Sequence, residues 1–216
     1  MAMIFKLTKH SDNLISELFE KAIKELISFY KFNWVQNQPK VYIIDSREDI
    51  NSVYGKDTQD WLIGWSDGRS IYLLNPENIE KESNHKYSDD LYFKLIKHEL
   101  SHLFYKLVTN TDKPSWLNEG VATYVSGQVN EGTDFSNLSK FLEDPKEVGS
   151  AIYKEAGFAL LLLSKEFGDE KILQYIKEIK GYRTSDEIRL KFQSVFDRDL
   201  TYDSFNMLLK KHYTKE

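Results

Sequence analysis

Two histidines at a helical spacing are the residues of this chain best suited to chemistry. His98 and His102 lie four positions apart in the stretch HELSHLFYKLVTNTDKPSWLNEG, and Glu99 directly follows the first of them. On an α-helix such histidines face the same side, within about 40° of each other, because each residue turns the helix by about 100°. Two imidazoles in that arrangement can bind one metal ion. The alternative is a pair of ordinary core histidines.

Glu119 is the candidate third ligand. The helix of the histidines is predicted to run to about Thr109, after which NTDKP reverses the chain. Ser115 is predicted to cap a second helix, and Glu119 lies about 6 Å along it at 1.5 Å per residue. An antiparallel return therefore brings the carboxylate back to the histidines. Two histidines, a glutamate and one position left for water are typical of a catalytic zinc site.

The helix that carries the histidines is predicted to be largely buried. Apolar side chains cover a broad arc of its surface, whereas Lys94, Lys97 and Ser101 form a narrow polar strip. Leu91 and Leu95 place apolar groups beside the histidines. The imidazoles are therefore expected to face an interior or a cleft rather than open water.

A small sheet is predicted before the histidines and helices after them. An amphipathic helix is predicted over residues 11–30, beginning at a Ser-Asp cap. KVYIID is predicted as a strand, and WLIGWSDGRSIYLLNP as two strands joined by a turn at Asp67-Gly68. The polar segment NPENIEKESNHKYSDD is predicted as a loop. Later helices are predicted over residues 150–167 and 171–180. Another is predicted to begin at a capping box of Thr184 and Glu187, and a last one at about Thr201.

Composition excludes several classes of protein. The 216 residues include no cysteine, so a bound metal must use histidine or carboxylate ligands. The net charge of -5, with basic residues scattered among acidic ones, argues against a nucleic-acid partner. No run approaches the about 18 apolar residues of a membrane span, and no signal peptide is visible. A cytoplasmic protein without a membrane partner is expected, or a secreted one if a signal peptide has been removed. No pattern specifies an oligomeric state.

HELSH followed by WLNEG resembles the gluzincins, the zinc metallopeptidase group that includes thermolysin and the aminopeptidase N-like enzymes. The resemblance is strong over about residues 65–127, looser through the C-terminal helices, and carries little before residue 60. The sixteen residues between His102 and Glu119 are slightly fewer than is usual in the group, as in compact peptidase MA-like domains. The metzincin pattern is excluded, because it requires glycine and histidine where this chain has Tyr105 and Val108.

The resemblance implies a role for each of five residues. His98, His102 and Glu119 would bind Zn²⁺, and Glu99 would be the general base for the zinc-bound water. Tyr153, in YKEAG near the start of a later helix, would donate a hydrogen bond to the oxyanion. A structural tyrosine is the alternative. The strand in GWSDGRSIYLLNP would line the cleft and pair with an extended peptide, unless it is an ordinary core strand.

Other polar and aromatic residues have weaker signals. His10, His85 and His212 lie in polar surroundings and are expected to be solvated. Tyr105 and Trp116 either wall the metal site or pack in the core.

These inferences predict an α+β, zincin-like fold in one compact domain, residues 1–216. A small mixed β-sheet lobe with the zinc helices would span residues 1–130 and a helical lobe residues 131–216, with the active-site helix between the two. The predicted function is zinc-dependent hydrolysis of a peptide or protein substrate. Cleavage is expected within the chain, because the GxMEN-type segment of aminopeptidase N-like relatives is missing. The alternative is a zinc-binding module without turnover that acts through a protein partner, and the intact Glu99 argues against it.

Overall fold

The computed structural model of the chain describes residues 12–34, 36–131, 135–143 and 151–213. Over these ranges, many helices accompany one small sheet, which confirms the α+β prediction. The helices are α1 (Asn13–Tyr30), α2 (Arg47–Tyr54), α3 (Ile79–Glu82), α4 (Asp89–Thr109), α5 (Ser115–Val125), α6 (Ala151–Phe167), α7 (Asp169–Glu178), α8 (Ser185–Phe196) and α9 (Tyr202–Tyr213). The strands are β1 (Lys40–Ile44), β2 (Gly64–Asp67) and β3 (Ser70–Leu74). No helix in the described ranges has the length and apolar character needed to cross a membrane.

The three strands of the described chain form a mixed sheet in the order β1-β3-β2. β3 runs parallel to β1 and antiparallel to β2. The predicted hairpin is confirmed, but its turn is Gly68-Arg69, one residue later than expected, because Asp67 already pairs with Ser70. Gly68 has a φ of 60° and Arg69 is not among the residues with positive φ, as in a type II′ turn. With β3 in the middle, β2 is an edge strand of the described sheet.

Helix α1 packs along α4 and covers the polar strip of that helix. The Tyr30 Oη lies 2.8 Å from the Ser101 Oγ, and Ser101 is fully buried. Lys97 pairs with Glu25 of α1 at 2.5 Å. Ser101, a member of the predicted polar strip, is thus buried because α1 brings its own polar groups to meet it. The predicted start of α1 is confirmed, since the Asp12 carboxylate accepts a hydrogen bond from the N–H of Ile15.

The segment predicted as a loop between β3 and α4 is partly helical. Pro76–Asn78 forms a 3-10 turn capped by Asn75, and α3 follows directly. Proline suits the first position of such a turn because its fixed φ is already helical. Ile79 is fully buried and anchors the segment to the core. Ser88 then caps α4, which ends at Thr109 as predicted.

The helices after residue 150 enclose an aromatic core around Trp116. The ring centroids of its partners lie 5.7–6.5 Å away, in Phe141, Tyr175, Phe192 and Phe205. Tyr105 is also buried and donates to the backbone oxygen of Lys113 at 2.9 Å. These contacts assign Trp116 and Tyr105 to the core rather than to the wall of the metal site.

The starts of the later helices differ slightly from the predicted ones. α7 begins at Asp169, two residues earlier than expected. Thr184 caps α8, but the Glu187 carboxylate accepts from the N–H of Arg183 rather than from that of Thr184. The helix predicted from Thr201 begins at Tyr202.

Candidate metal centre

Helix α4 presents both histidines on one face. The Nε2 atoms of His98 and His102 are 3.1 Å apart, and the ring planes meet at 84°. Each side chain is 15% exposed. This confirms the prediction that the imidazoles face a cleft rather than open water.

Helix α5 returns beside α4 and brings Glu119 to the histidines. The Glu119 Oε2 lies 3.7 Å from the Nε2 of His98 and 3.6 Å from the Nε2 of His102. Ser115 is the first residue of α5 and Pro114 stands at its cap position, so the predicted cap is displaced by one residue. Along the two helices, Lys113 contacts Tyr105, Asn118 contacts His102, and Gly127 lies against Lys94. Residue numbers rise on one side as they fall on the other, which confirms the antiparallel return.

The three side chains fit a single zinc ion. Among the described residues they form the only group of three potential protein ligands whose atoms all lie within 4.8 Å of one another. The two Nε2 atoms and the Oε2 lie 3.1–3.7 Å apart, near the separation of about 3.3 Å between two ligands bound tetrahedrally at about 2.0 Å. Burial alone would raise the pKa of Glu119, but the close approach of His98 and the nearby positive charges outweigh it and lower that pKa. The carboxylate is therefore ionised, as a ligand must be.

Asn118 orients one of the two histidines. Its Oδ1 lies 2.9 Å from the Nδ1 of His102, and its Nδ2 donates to the backbone oxygen of Asp112 at 3.1 Å. With Nδ1 as donor to Asn118, the lone pair of His102 is on Nε2, directed at the cluster. The sequence reasoning did not single out this residue, although its place directly before Glu119 was a usable signal. The Nδ1 of His98 is buried and has no hydrogen-bond partner among the described residues.

Glu99 lies beside the cluster without belonging to it. Its side chain is buried, and burial raises its pKa to about 7, with the charge of His102 opposing and that of Glu119 adding to the effect. The nearby side chain of Ser66 on β2 also opposes the rise. A carboxylate with a pKa near neutrality can both accept and release a proton at neutral pH.

Edge strand β2 crosses directly over the stretch of α4 that carries the histidines. A Cβ atom at Gly64 would lie 3.0 Å from the Leu95 Cδ1, so glycine lets the strand approach the helix without displacing that side chain. Two residues later, Ser66 contacts Glu99. A cleft of about 820 Å³ opens here and is lined both by β2 and by the three candidate ligands. The predicted position of this strand along the cleft is confirmed.

Two glycines set the distance between α5 and α6. A Cβ atom at Gly120 would lie 2.5 Å from the Leu160 Cδ2 and 2.8 Å from the backbone oxygen of Ala156. A Cβ atom at Gly157 would lie 2.5 Å from the Thr123 Cγ2. This close packing brings the first turns of α6 beside α5, the helix that carries Glu119.

Tyr153 lies on α6 and lines the same cleft as the candidate ligands. Its side chain is half-buried. Burial raises the pKa of its hydroxyl most, and the charge of Glu119 raises it further. The hydroxyl therefore remains a hydrogen-bond donor at neutral pH. Ser150, its expected helix cap, lies outside the described residues.

The other two histidines of the described chain, His85 and His212, do not join the cluster. The Nε2 of His85 lies 3.0 Å from the backbone oxygen of Trp61, and His85 lines the outer cleft. The Nε2 of His212 lies 2.8 Å from a Glu166 carboxylate oxygen. The expectation that both are simply solvated is wrong, since folding supplies each with a partner. His10 is outside the described residues.

Comparison of the chain with protein-family models, curated proteins and solved structures finds no significant match. Its function therefore has to be inferred from the chemistry of the site.

Proposed function

We propose that the protein is a zinc-dependent peptidase of the gluzincin kind that cleaves peptide bonds within a chain. One observation carries the proposal. A buried carboxylate that is not part of the cluster, Glu99, lies beside His98, His102 and Glu119 in a cleft bordered by an edge strand. A structural zinc site is closed by four protein ligands, whereas a set of three leaves one position open to react.

His98, His102 and Glu119 would hold the ion. When bound, zinc acidifies a water molecule and polarises the substrate carbonyl. Two imidazole nitrogens and one carboxylate oxygen are ligands that zinc takes readily. Asn118 orients His102 for this task through the 2.9 Å contact with its Nδ1.

Glu99 would move the proton. Its place in α4, next to His98, turns its carboxylate toward β2 and the cleft rather than into the cluster. There it accepts a proton from the attacking water and passes it to the amine that leaves. Ser66 orients the carboxylate during this transfer.

Strand β2 would hold the substrate backbone. An extended peptide can add to the free edge of β2 by main-chain hydrogen bonds. Because β2 passes over Glu99, such a peptide crosses the centre of the cleft. A site that grips the middle of an extended chain favours internal cleavage, in keeping with the missing GxMEN-type segment. On the other side, Tyr153 would donate a hydrogen bond to the carbonyl oxygen as negative charge develops on it.

The test is digestion of casein by the purified protein, with and without a chelator. We expect fragments that disappear with chelator and return with added zinc. Glu99→Gln should bind zinc as the wild type does yet lower turnover by orders of magnitude, because the amide cannot accept the proton. Zinc binding without chelator-sensitive fragments would favour a module that acts through a protein partner. Mass spectrometry of peptides with blocked N-termini tests internal cleavage, and a strict need for a free amine would contradict it.

A further inference from the structure

The cleft has an aromatic rim, which consists of Tyr54, Trp61 and Trp65. These side chains come from the end of α2, the segment before β2, and β2 itself. Tyr54 is 40% exposed and Trp61 is 46% exposed. The rings of Tyr54 and Trp65 meet edge to face, with centroids 5.3 Å apart. Large aromatic groups that stay exposed together in a cleft are typical of a ligand-binding surface.

The segment that carries Trp61 is held in place although the Trp61 ring is not packed in the core. Arg47 donates to the backbone oxygen of Leu62 at 2.8 Å and to the Thr58 Oγ1 at 2.9 Å. His85 contacts the backbone oxygen of Trp61 at 3.0 Å. These bonds hold the backbone beside Trp61 in place and so fix the position of its half-exposed ring over the cleft. Such pre-organisation is what a specific binding site requires.

Trp65 lies at the edge of the cleft, on the face of the sheet opposite to Gly64 and Ser66, which face α4. Tyr42, Tyr72 and Trp65 occupy matched positions on the three strands, and their rings stack at centroid distances of 5.1 Å and 4.7 Å. The row ends at the free edge of β2. A peptide strand added at this edge would place one of its side chains at the next position of the row, beside Trp65.

We propose that the aromatic rim binds a large apolar side chain of the substrate, aromatic ones best, and so determines which peptide segments are cleaved. This proposal rests on the proposed peptide hydrolysis and adds the substrate class. Leu62, Ile63 and Leu95 also line the cleft and add apolar surface to that of the rim. An aromatic ring gains both apolar burial and edge-to-face contacts in such surroundings.

The test measures binding to the metal-free protein, so that it does not depend on turnover. Two blocked peptides of alanine, glycine and serine, one with a single central phenylalanine in place of alanine, are labelled and titrated by fluorescence polarisation. We expect the phenylalanine peptide to bind about tenfold more tightly or better, the gain from burying one such side chain. Equal affinity for the two peptides would overturn the proposal.

Two rim variants and one control locate the effect. Trp61→Ala and Tyr54→Ala should each reduce the preference for phenylalanine severalfold, with thermal unfolding unchanged because both side chains are substantially exposed. Leu190→Ala removes a 64% exposed apolar side chain on α8, away from the cleft, and should keep the full preference. A preference that persists in both rim variants would also overturn the proposal.

Casein digestion separates this proposal from the proposed function. Cleavage without any preference for phenylalanine in binding would contradict the rim proposal and leave the peptidase proposal standing. A clear preference in binding without any cleavage would contradict the peptidase proposal and leave the rim as a binding site for apolar side chains.

Discussion

The Nδ1 of His102 lies 2.9 Å from the Oδ1 of Asn118, the residue directly before Glu119. Helix α5 therefore supplies one candidate ligand through Glu119 and orients another through Asn118. Because both residues lie on one helical turn, a shift of α5 would move Glu119 and the hydrogen-bond partner of His102 together. The α4–α5 contact is therefore central to the proposed zinc site.

Removal of the Asn118 side chain should weaken zinc binding without abolishing it. In Asn118→Ala the His102 ring loses its acceptor, and we expect a 10- to 100-fold lower zinc affinity, typical of such supporting partners. Asn118→Asp keeps an oxygen at the same place and should retain most of the affinity. Competition with a fluorescent zinc chelator measures both. Equal affinity of the alanine variant and the wild type would show that His102 needs no orienting partner.

Loss of any one ligand should remove the metal. We expect one zinc per chain in the wild type and strongly reduced zinc in His98→Ala, His102→Ala and Glu119→Ala, since two ligands hold the ion poorly. His85→Ala is a matched control, because His85 lines the cleft outside the cluster. Elemental analysis of the purified proteins gives the metal content. Full zinc occupancy in all three ligand variants would refute the assignment.

Tyr153→Phe should slow turnover while it leaves the fold intact. The substitution keeps the half-buried ring and removes only the hydroxyl, so zinc content and thermal stability should not change. The loss of one preorganised donor to the oxyanion is worth about a hundredfold in rate. Steady-state kinetics on a casein-derived peptide tests this. If stability falls together with the rate, the hydroxyl has a structural role instead.

Gly120→Ala should destabilise the protein and weaken metal binding together. The new methyl group would lie 2.8 Å from the backbone oxygen of Ala156, which cannot turn away as a side chain can. We expect the separation of α5 from α6 to cost about 1–3 kcal/mol in the free energy of unfolding, less the gain in helix propensity. Chemical denaturation gives the stability and chelator competition the zinc affinity. A variant as stable as the wild type would mean that the two helices can move apart at little cost.

Glu166 should make stability depend on acid pH. Hydrogen bonds from Lys211 and His212, together with their charges, hold the pKa of Glu166 below its usual value, against a smaller effect of burial. A carboxylate with a lowered pKa stabilises the fold above its unfolded pKa of about 4.3, and this contribution disappears as the pH falls through the lower folded pKa. The wild type should therefore melt at a higher temperature than Glu166→Gln at pH 7, and the gap should close near pH 3. A gap that does not change with pH would contradict the assignment.

Short-range interactions were readable in the sequence. The four-residue spacing of His98 and His102, the end of α4 at Thr109, the caps at Asp12 and Thr184, and the β2–β3 hairpin all depend on neighbours within a few positions. The return of Glu119 was also predictable, because the short connection after Thr109 leaves the chain few routes.

The tertiary structure decided the features that join distant parts of the chain. Periodicity alone does not reveal that Ser101 is buried under α1 or that β2 rather than β1 borders the cleft, since each depends on which elements pack together. The same holds for the placement of Tyr54 and Trp61 along one cleft, where Arg47 ties α2 to the segment before β2. Local backbone preferences act over three or four residues, whereas these contacts form only when side chains far apart in sequence compete for the same space in the core.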